Sequence, residues 1–166
     1  MNTKEQMEML AREAKAASAV LVQAGGDAVT RALNRLAELL DSQRQALAAA
    51  NKQDLQAGAD QGLDKPKLMR LTLSDKVIDS MIQGCRDVAA MSDPVGEVES
   101  MRKTTGGMLT GKMRVPLGVV CMIYESRPNV TIDAAILCLR AGNAVILRGG
   151  SEAFHSNMAL AGLTHQ

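Results

Sequence analysis

The stretch that decides the fold is residues 119–152, which read VVCMIYESRPNVTIDAAILCLRAGNAVILRGGSE. Its first part, 119–124, is apolar on both faces, which is typical of a strand buried in a parallel sheet. Apolar residues then recur at helical spacing until Gly142, which is placed to end a helix. A second apolar run, 144–147, follows, and another helix begins at 151–152. This order predicts the opening of a parallel α/β sheet with right-handed crossovers.

Two loops follow the two predicted strands, at the edge where parallel sheets bind their ligands. These loops are Tyr124–Asn129 and Arg148–Glu152. A phosphorylated or dinucleotide ligand is one interpretation, because Arg148 can bind a phosphate and the Gly149-Gly150 pair leaves room for it. The N–H groups at the start of the following helix would add a positive end there. A surface arginine beside a glycine turn fits the local sequence equally well.

The spacing of apolar residues divides the chain into three parts. Residues 1–92 carry helical spacing, and residues 93–115 carry the alternation of a β-hairpin. Residues 116–166 hold the α/β pattern that opens a parallel sheet. The Asp93-Pro94 pair marks the first boundary.

Glycines and capping residues punctuate the helical part. Gly25 is predicted to end the first helix, a break falls near Ser42, and Gly58 and Gly62 mark a loop. Ser74 is placed to cap the last helix. The apolar stripe of that last helix consists of Val77, Ile78, Met81, Ile82, Cys85, Val88 and Ala89.

The hairpin is predicted from strict alternation over residues 109–115, with Leu109 and Met113 on its apolar face. Residues 104–107 can turn the chain back against 97–102. A two-stranded hairpin is marginal in water by itself. We therefore expect its apolar face to lie on another subunit or another sheet.

The overall composition argues against several classes of partner. The chain of 166 residues carries 19 Lys+Arg and 18 Asp+Glu, so its net charge of +1 gives no footprint for nucleic acid. Aromatic residues at 1% leave almost no base-stacking surface. No apolar run approaches the roughly 20 residues that a membrane span needs. The first residues lack the apolar region of a signal peptide.

The cysteines predict neither a metal site nor a disulfide framework. Cys85, Cys121 and Cys138 lie far apart and are odd in number. No metal-ligand set is therefore predicted, and a cytoplasmic location is expected. Cys85 lies on the apolar stripe and is predicted to be an inert core thiol. The sequence also lacks G-x-G-x-x-G and Walker A patterns, which disfavours a standard Rossmann phosphate loop and a P-loop NTPase.

Three blocks of the sequence resemble those of γ-glutamyl phosphate reductases, which are members of the aldehyde dehydrogenase superfamily. They are RVPLGVV at 114–120, YESRPNVT at 124–131 and AGNAVILRGGSE at 141–152. The resemblance extends along essentially the whole chain. It implies the aldehyde dehydrogenase fold: amino-terminal helices, a hairpin arm and, in residues 116–166, the first β-α-β-α of the Rossmann-like dinucleotide-binding domain.

The resemblance also implies an activity, namely NADPH-dependent reduction of γ-glutamyl phosphate to glutamate 5-semialdehyde with release of phosphate. In this family a cysteine thiolate attacks the acyl phosphate, and hydride then reduces the thioester. That cysteine is expected beyond Gln166, so no catalytic residue is assigned here, and this chain alone is expected to be inactive. The implied partners are the substrate, further copies of the chain through the hairpin, and glutamate 5-kinase as a candidate. A monofunctional reductase is favoured over a fused kinase–reductase, since no kinase domain precedes Lys4.

The resemblance places the cofactor contacts in the two loops. Glu152 resembles the superfamily's ribose-binding glutamate, but it lies one residue further along. Counting back from Gly142 places Glu125, and not Asn129, at the position of the superfamily's oxyanion-binding asparagine, so no oxyanion donor is assigned. Asn129 is either a substrate ligand or only a helix-start residue. The residues predicted to contact NADPH are Tyr124, Glu125, Ser126, Arg148, Gly149, Gly150 and Glu152.

Two other functions fit the sequence. The chain could be a non-catalytic helical and hairpin module that only associates with another subunit. It could also come from an aldehyde dehydrogenase with an unphosphorylated substrate. Mixing the chain with the missing carboxyl-terminal part and assaying NADPH oxidation would test the first function. A substrate panel on the full-length protein would test the second.

Overall fold

The computed structural model describes residues 2–164. Within them, helices lead the chain, an antiparallel hairpin follows, and two parallel strands with their helices come last, which confirms the predicted α/β fold. The helices are α1 (Thr3–Ser42), α2 (Arg44–Asp60), α3 (Lys65–Leu71), α4 (Asp75–Ala90), α5 (Asn129–Arg140) and α6 (Phe154–Leu163). The strands are β1 (Val98–Lys103), β2 (Leu109–Met113), β3 (Val119–Ile123) and β4 (Ala144–Arg148).

Most of the predicted ends of the first helices are confirmed. Gly25 leaves the helical conformation at φ 74° and ψ 161° and divides α1 in two, and α1 ends at Ser42. The prediction of a loop at Gly58 is wrong, because Gly58 is buried inside α2. A Cβ at that position would lie 2.7 Å from Leu63 Cδ1, so the glycine allows the chain after the helix to pack closely. Only Gly62, at φ +76°, lies in the turn.

Helix α4 packs as its apolar stripe predicts. The Ser74 hydroxyl accepts a hydrogen bond from Val77 N and caps the helix. The stripe faces α1 and α5 and joins residues from both halves of the chain into one core. Cys85 is fully buried in this core, as predicted.

The hairpin forms as predicted, with β1 and β2 antiparallel. Thr104 N donates to Met108 O at 2.8 Å across the turn. The register shifts between Glu99 and Arg102, where Ser100 takes a positive φ of 56°. Within the described chain its large apolar side chains are all exposed: Val98, Met101, Met108, Leu109 and Met113.

Strands β3 and β4 are parallel, with Val119 opposite Ala144 and Ile123 opposite Arg148. Gly142 lies just after the end of α5 and has a φ of +71°, which agrees with its predicted role in ending that helix. The prediction that β3 is buried on both faces is wrong for this chain, since Ile123 is 73% exposed. The physical reason is that the sheet contains two strands in residues 2–164, so little packs over β3.

The last helix begins later than predicted. Residues Ser151–Ala153 form a single 3-10 turn, and α6 starts only at Phe154. Glycine at position 150 precedes the turn in an extended conformation. The second loop is therefore one turn longer than the sequence suggested.

An apolar groove of about 660 Å³ runs beside the sheet. The first part of α1 contributes Leu10 and Leu21 to its lining, and β4 contributes Leu147. Separately, none of the helices in the described range is long and apolar enough to cross a membrane.

Candidate functional site

The two predicted ligand loops meet at one edge of the sheet. Because β3 and β4 run parallel in register, both strands end there, and Tyr124 N donates to Arg148 O at 3.1 Å. The sheet thereby places residues 124–128 beside residues 149–152. The sequence prediction that these loops come together is confirmed.

A hydrogen bond joins the two loops directly. Ser126 Oγ donates to Glu152 Oε2 at 2.5 Å. This bond is the main cause that lowers the pKa of Glu152 below its ordinary value of 4.5. Glu152 is therefore ionised at neutral pH, and its bond to Ser126 holds the loop after β3 against the loop after β4.

The backbone of Gly149 and Gly150 packs closely against side chains of the protein itself. A Cβ on Gly149 would collide with the Asn157 amide and lie 3.1 Å from the Tyr124 ring. A Cβ on Gly150 would collide with Ser126 Oγ and lie 2.8 Å from Glu152 Oε2. Glycine is required at both positions because the neighbouring loop packs against this backbone.

The hydroxyl of Tyr124 belongs to an internal network. It lies 2.7 Å from Thr131 Oγ1, and Thr131 in turn donates to Asn157 Oδ1 at 3.0 Å. Thr131 has a single hydroxyl proton, so Tyr124 is the donor in the first bond. Tyr124 therefore ties the loop after β3 to α5 and α6 through its hydroxyl.

Arg148 ends β4 with an exposed side chain. Among residues 2–164 no ion pair joins it to Glu152, which bonds to Ser126 instead. A guanidinium keeps its charge at neutral pH and presents a fork of donors. The side chain is therefore available to an anionic ligand at the edge of the sheet.

Asn129 is the first residue of α5 and its side chain bonds within that helix. Asn129 Nδ2 donates to Asp133 Oδ2 at 3.0 Å. Burial raises the pKa of Asp133, and this hydrogen bond opposes the rise. The contact agrees with the helix-start interpretation of Asn129, and its assignment as a substrate ligand stays a prediction.

The first amides of α6 bond to a side chain of the protein itself. Asp54 of α2 is buried, and its carboxylate accepts from His155 N at 3.0 Å and from Ser156 N at 2.7 Å. The side chain of Asp54 therefore caps the amino terminus of this helix. The contribution of N–H groups nearer to Ser151 to a phosphate site stays a prediction.

A second buried polar residue, Asn51, ties α6 to the end of α3. Its Nδ2 donates to Leu71 O at 2.8 Å and to Ser156 Oγ at 3.1 Å, and its Oδ1 accepts from Leu73 N at 2.8 Å. Sequence reasoning missed Asn51 and Asp54. Their helical spacing from the buried Leu47 was the pattern that could have revealed them.

Helix α3 was also missed, although Asp64 caps it and proline lies in its first turn. It supplies the third wall of a cleft of about 200 Å³ beside the two loops. Arg70 Nη1 donates to Glu125 Oε2 at 3.1 Å, and Arg127 Nε forms an ion pair with Glu125 Oε1 at 2.8 Å. The residues around the cleft are Leu63, Lys67, Arg70, Leu71, Glu125, Ser126 and Glu152.

The cysteines lie away from this cleft. Burial raises the pKa of Cys85 to about 11 and also raises that of Cys138, which keeps both as thiols at neutral pH. Cys121 is exposed in the middle of β3. In residues 2–164 no group of three or more His, Cys, Asp or Glu side chains is placed to hold a metal ion.

Sequence comparison finds relatives that match this chain from end to end. A γ-glutamyl phosphate reductase of Solidesulfovibrio magneticus is 56% identical over 166 residues, which are 100% of this chain and 40% of the relative. That of Oleidesulfovibrio alaskensis is 52% identical over 166 residues, again 40% of its length. No protein-family model matches the chain.

Solved structures agree with the sequence relatives. A γ-glutamyl phosphate reductase from Thermotoga maritima superposes with a TM-score of 0.89 at 39% identity, over 93% of this chain and 37% of that one. The enzyme from Saccharomyces cerevisiae gives a TM-score of 0.89 at 32% identity, over 99% of this chain and 41% of that one. The chain thus spans about two fifths of the relatives and corresponds to their amino-terminal part.

Proposed function

We propose that this chain, which corresponds to the amino-terminal part of γ-glutamyl phosphate reductases, comes from an enzyme of proline biosynthesis that reduces γ-glutamyl phosphate. The reaction converts the acyl phosphate, NADPH and a proton into glutamate 5-semialdehyde, NADP⁺ and phosphate. The match of 52–56% identity along the chain carries this proposal. Because the free cysteines agree with a reducing compartment, we also propose a cytoplasmic location.

The residues at the sheet edge fit a phosphate-bearing cofactor. Arg148 is exposed there, and two further cations of α3 lie beside the cleft. The bonds of Tyr124 and Ser126 fix the loops around this edge. When bound, the nicotinamide supplies the hydride. We propose that residues 124–126 and 148–152 hold NADPH while the nucleophilic thiol comes from outside this chain.

The test of the proposed function uses the complete protein in the reverse direction. Glutamate 5-semialdehyde and NADP⁺ are expected to yield NADPH only when phosphate is added, because phosphate must attack to form the acyl phosphate. Absorbance of NADPH measures the rate, and this chain alone serves as the inactive control. Turnover of aldehydes without phosphate would instead indicate a different aldehyde dehydrogenase.

Replacing Arg148 with Ala in the complete protein is expected to weaken NADPH binding about tenfold to a hundredfold and leave NADH binding unchanged. The physical reason is the loss of a charge-assisted hydrogen bond, about 1.5–3 kcal/mol, to the 2′-phosphate that only NADPH carries. Apparent dissociation constants for both cofactors measure the effect. Arg86→Ala, an exposed cation on α4, is the control. Equal losses for the two cofactors would contradict the assignment.

The exposed hairpin favours a role in association. Replacing Leu109 and Met113 with Lys is expected to dissociate the complete protein into smaller species, because two charges would enter an apolar contact. Light scattering measures the mass. Lys112→Ala, on the opposite face of β2, should leave the mass unchanged. An intact oligomer in the double variant would remove the hairpin from the interface.

A further inference from the structure

Helix α3 contributes two cations to the cleft, in addition to the residues of the two sheet-edge loops. Lys67 and Arg70 both line it, and their side chains are 61% and 46% exposed. The third nearby cation, Arg127, lies on the opposite loop and bonds to Glu125. The two cations that line the cleft thus face two carboxylates, those of Glu125 and Glu152, and Lys67 also forms an exposed ion pair with Asp64 at 3.9 Å.

The internal bonds of the cleft leave these cations able to bind a ligand. Arg127 forms an ion pair with Glu125, Lys67 forms an exposed one with Asp64, and Ser126 donates to Glu152. Arg70 uses one N–H group on Glu125, which leaves most of its five donors for another acceptor. The Arg70–Glu125 pair is largely exposed, and exposed pairs are weak, so an incoming dianion can share or displace it at small cost.

The base of Arg70 is fixed before any ligand arrives. Its neighbour Leu71 is 1% exposed, and Leu71 O accepts from the buried Asn51. At the other end of α3, the Asp64 side chain accepts from Lys67 N at 3.0 Å. The short helix is therefore held at both ends, which lowers the ordering cost of binding.

We propose that Lys67 and Arg70 form a subsite for a terminal phosphate group. An arginine fork with a lysine point charge is the donor set that proteins use for phosphate. This inference rests on the proposed function for the origin of that group, which is either the 2′-phosphate of the cofactor or the phosphate of the acyl phosphate substrate. Both origins share one chemistry, and the experiment separates them.

The experiment measures binding to the complete protein by calorimetry, with NADP⁺, NAD⁺ and inorganic phosphate as probes. Arg70→Ala is expected to weaken one phosphate-bearing probe about tenfold or more and to leave NAD⁺ unchanged. Loss of NADP⁺ affinity assigns the subsite to the cofactor, and loss of inorganic phosphate affinity assigns it to the substrate. Lys67→Ala should act on the same probe, and Arg70→Lys should recover part of the affinity.

Lys65 provides a matched control, since it is a cation of the same helix that does not line the cleft. An effect of Lys65→Ala as large as that of Arg70→Ala would overturn the proposal. Unchanged affinity for both phosphate-bearing probes in Arg70→Ala, or equal weakening of NAD⁺ and NADP⁺, would also overturn it. Because binding is measured without turnover, phosphate binding without reductase activity would reject only the proposed function.

Discussion

Replacing Asp54 with Ala is expected to destabilise the complete protein by about 2–4 kcal/mol, since each buried N–H left without an acceptor costs about 1–3 kcal/mol. Its carboxylate bonds to His155 N and Ser156 N, and the Ser156 amide lies in a fully buried environment. Water can reach the first of these amides more easily than the second. The loss therefore falls mainly on the start of α6 and on the loop before it.

Urea or thermal unfolding of the complete protein measures this loss. Asp54→Asn separates hydrogen bonding from volume, because it keeps the side-chain shape but turns one acceptor into a donor that faces an N–H. It is expected to lose at least half as much stability as the alanine variant. Lys52→Ala, an exposed substitution on the same helix, should change stability very little. Wild-type stability in both Asp54 variants would show that the two amides find other acceptors.

The second large effect is expected from Gly150→Ala, which should weaken NADPH binding by more than tenfold. Residue 150 has φ −62° and ψ 148°, which alanine adopts without strain, so the effect is steric. The new Cβ would collide with Ser126 Oγ and lie 3.1 Å from Ser126 N. Ser126 must then move, and its bond to Glu152 breaks. Overpacking of this kind typically costs about 1–3 kcal/mol.

Cofactor titration and unfolding of the same preparation measure the two consequences together. Gly106→Ala is the matched control, because no atom lies within 4 Å of a Cβ there and its φ is not positive. It should leave both the affinity and the stability unchanged. Normal cofactor affinity in Gly150→Ala would show that the contact between the two loops does not shape the cofactor site.

Local patterns predicted the elements whose burial follows a simple period. The stripe of α4 around Cys85 and the alternation of β2 are of this kind, and so is the stop at Gly142, where a positive φ favours glycine. The exposure of β3 escaped prediction, because burial depends on what packs over a strand and not on its own residues. An apolar run in the sequence indicates that a strand favours burial, but it does not show which other elements pack over that strand.

The candidate site was predicted only where it lies on the sheet. The loops after β3 and β4 follow from parallel strand order, since that order fixes which loops are neighbours. Arg70 and Glu125 are 55 residues apart, and Asp54 bonds to amides 101 and 102 residues away. Contacts at such separations come from packing helices onto the sheet, which single-sequence periodicity does not encode.

The apolar groove between the first part of α1 and β4 has a consequence for biosynthesis. In a protein of the relatives' length, the 166 residues of this chain emerge from the ribosome before the remaining three fifths. At about 5–20 residues per second, that remainder takes tens of seconds to synthesise. During that time the groove lined by Leu10, Leu21 and Leu147 and the edges of the two-stranded sheet have no contact with the later residues. We therefore expect this groove to bind chaperones during translation, and added chaperone should raise the yield of the folded complete protein.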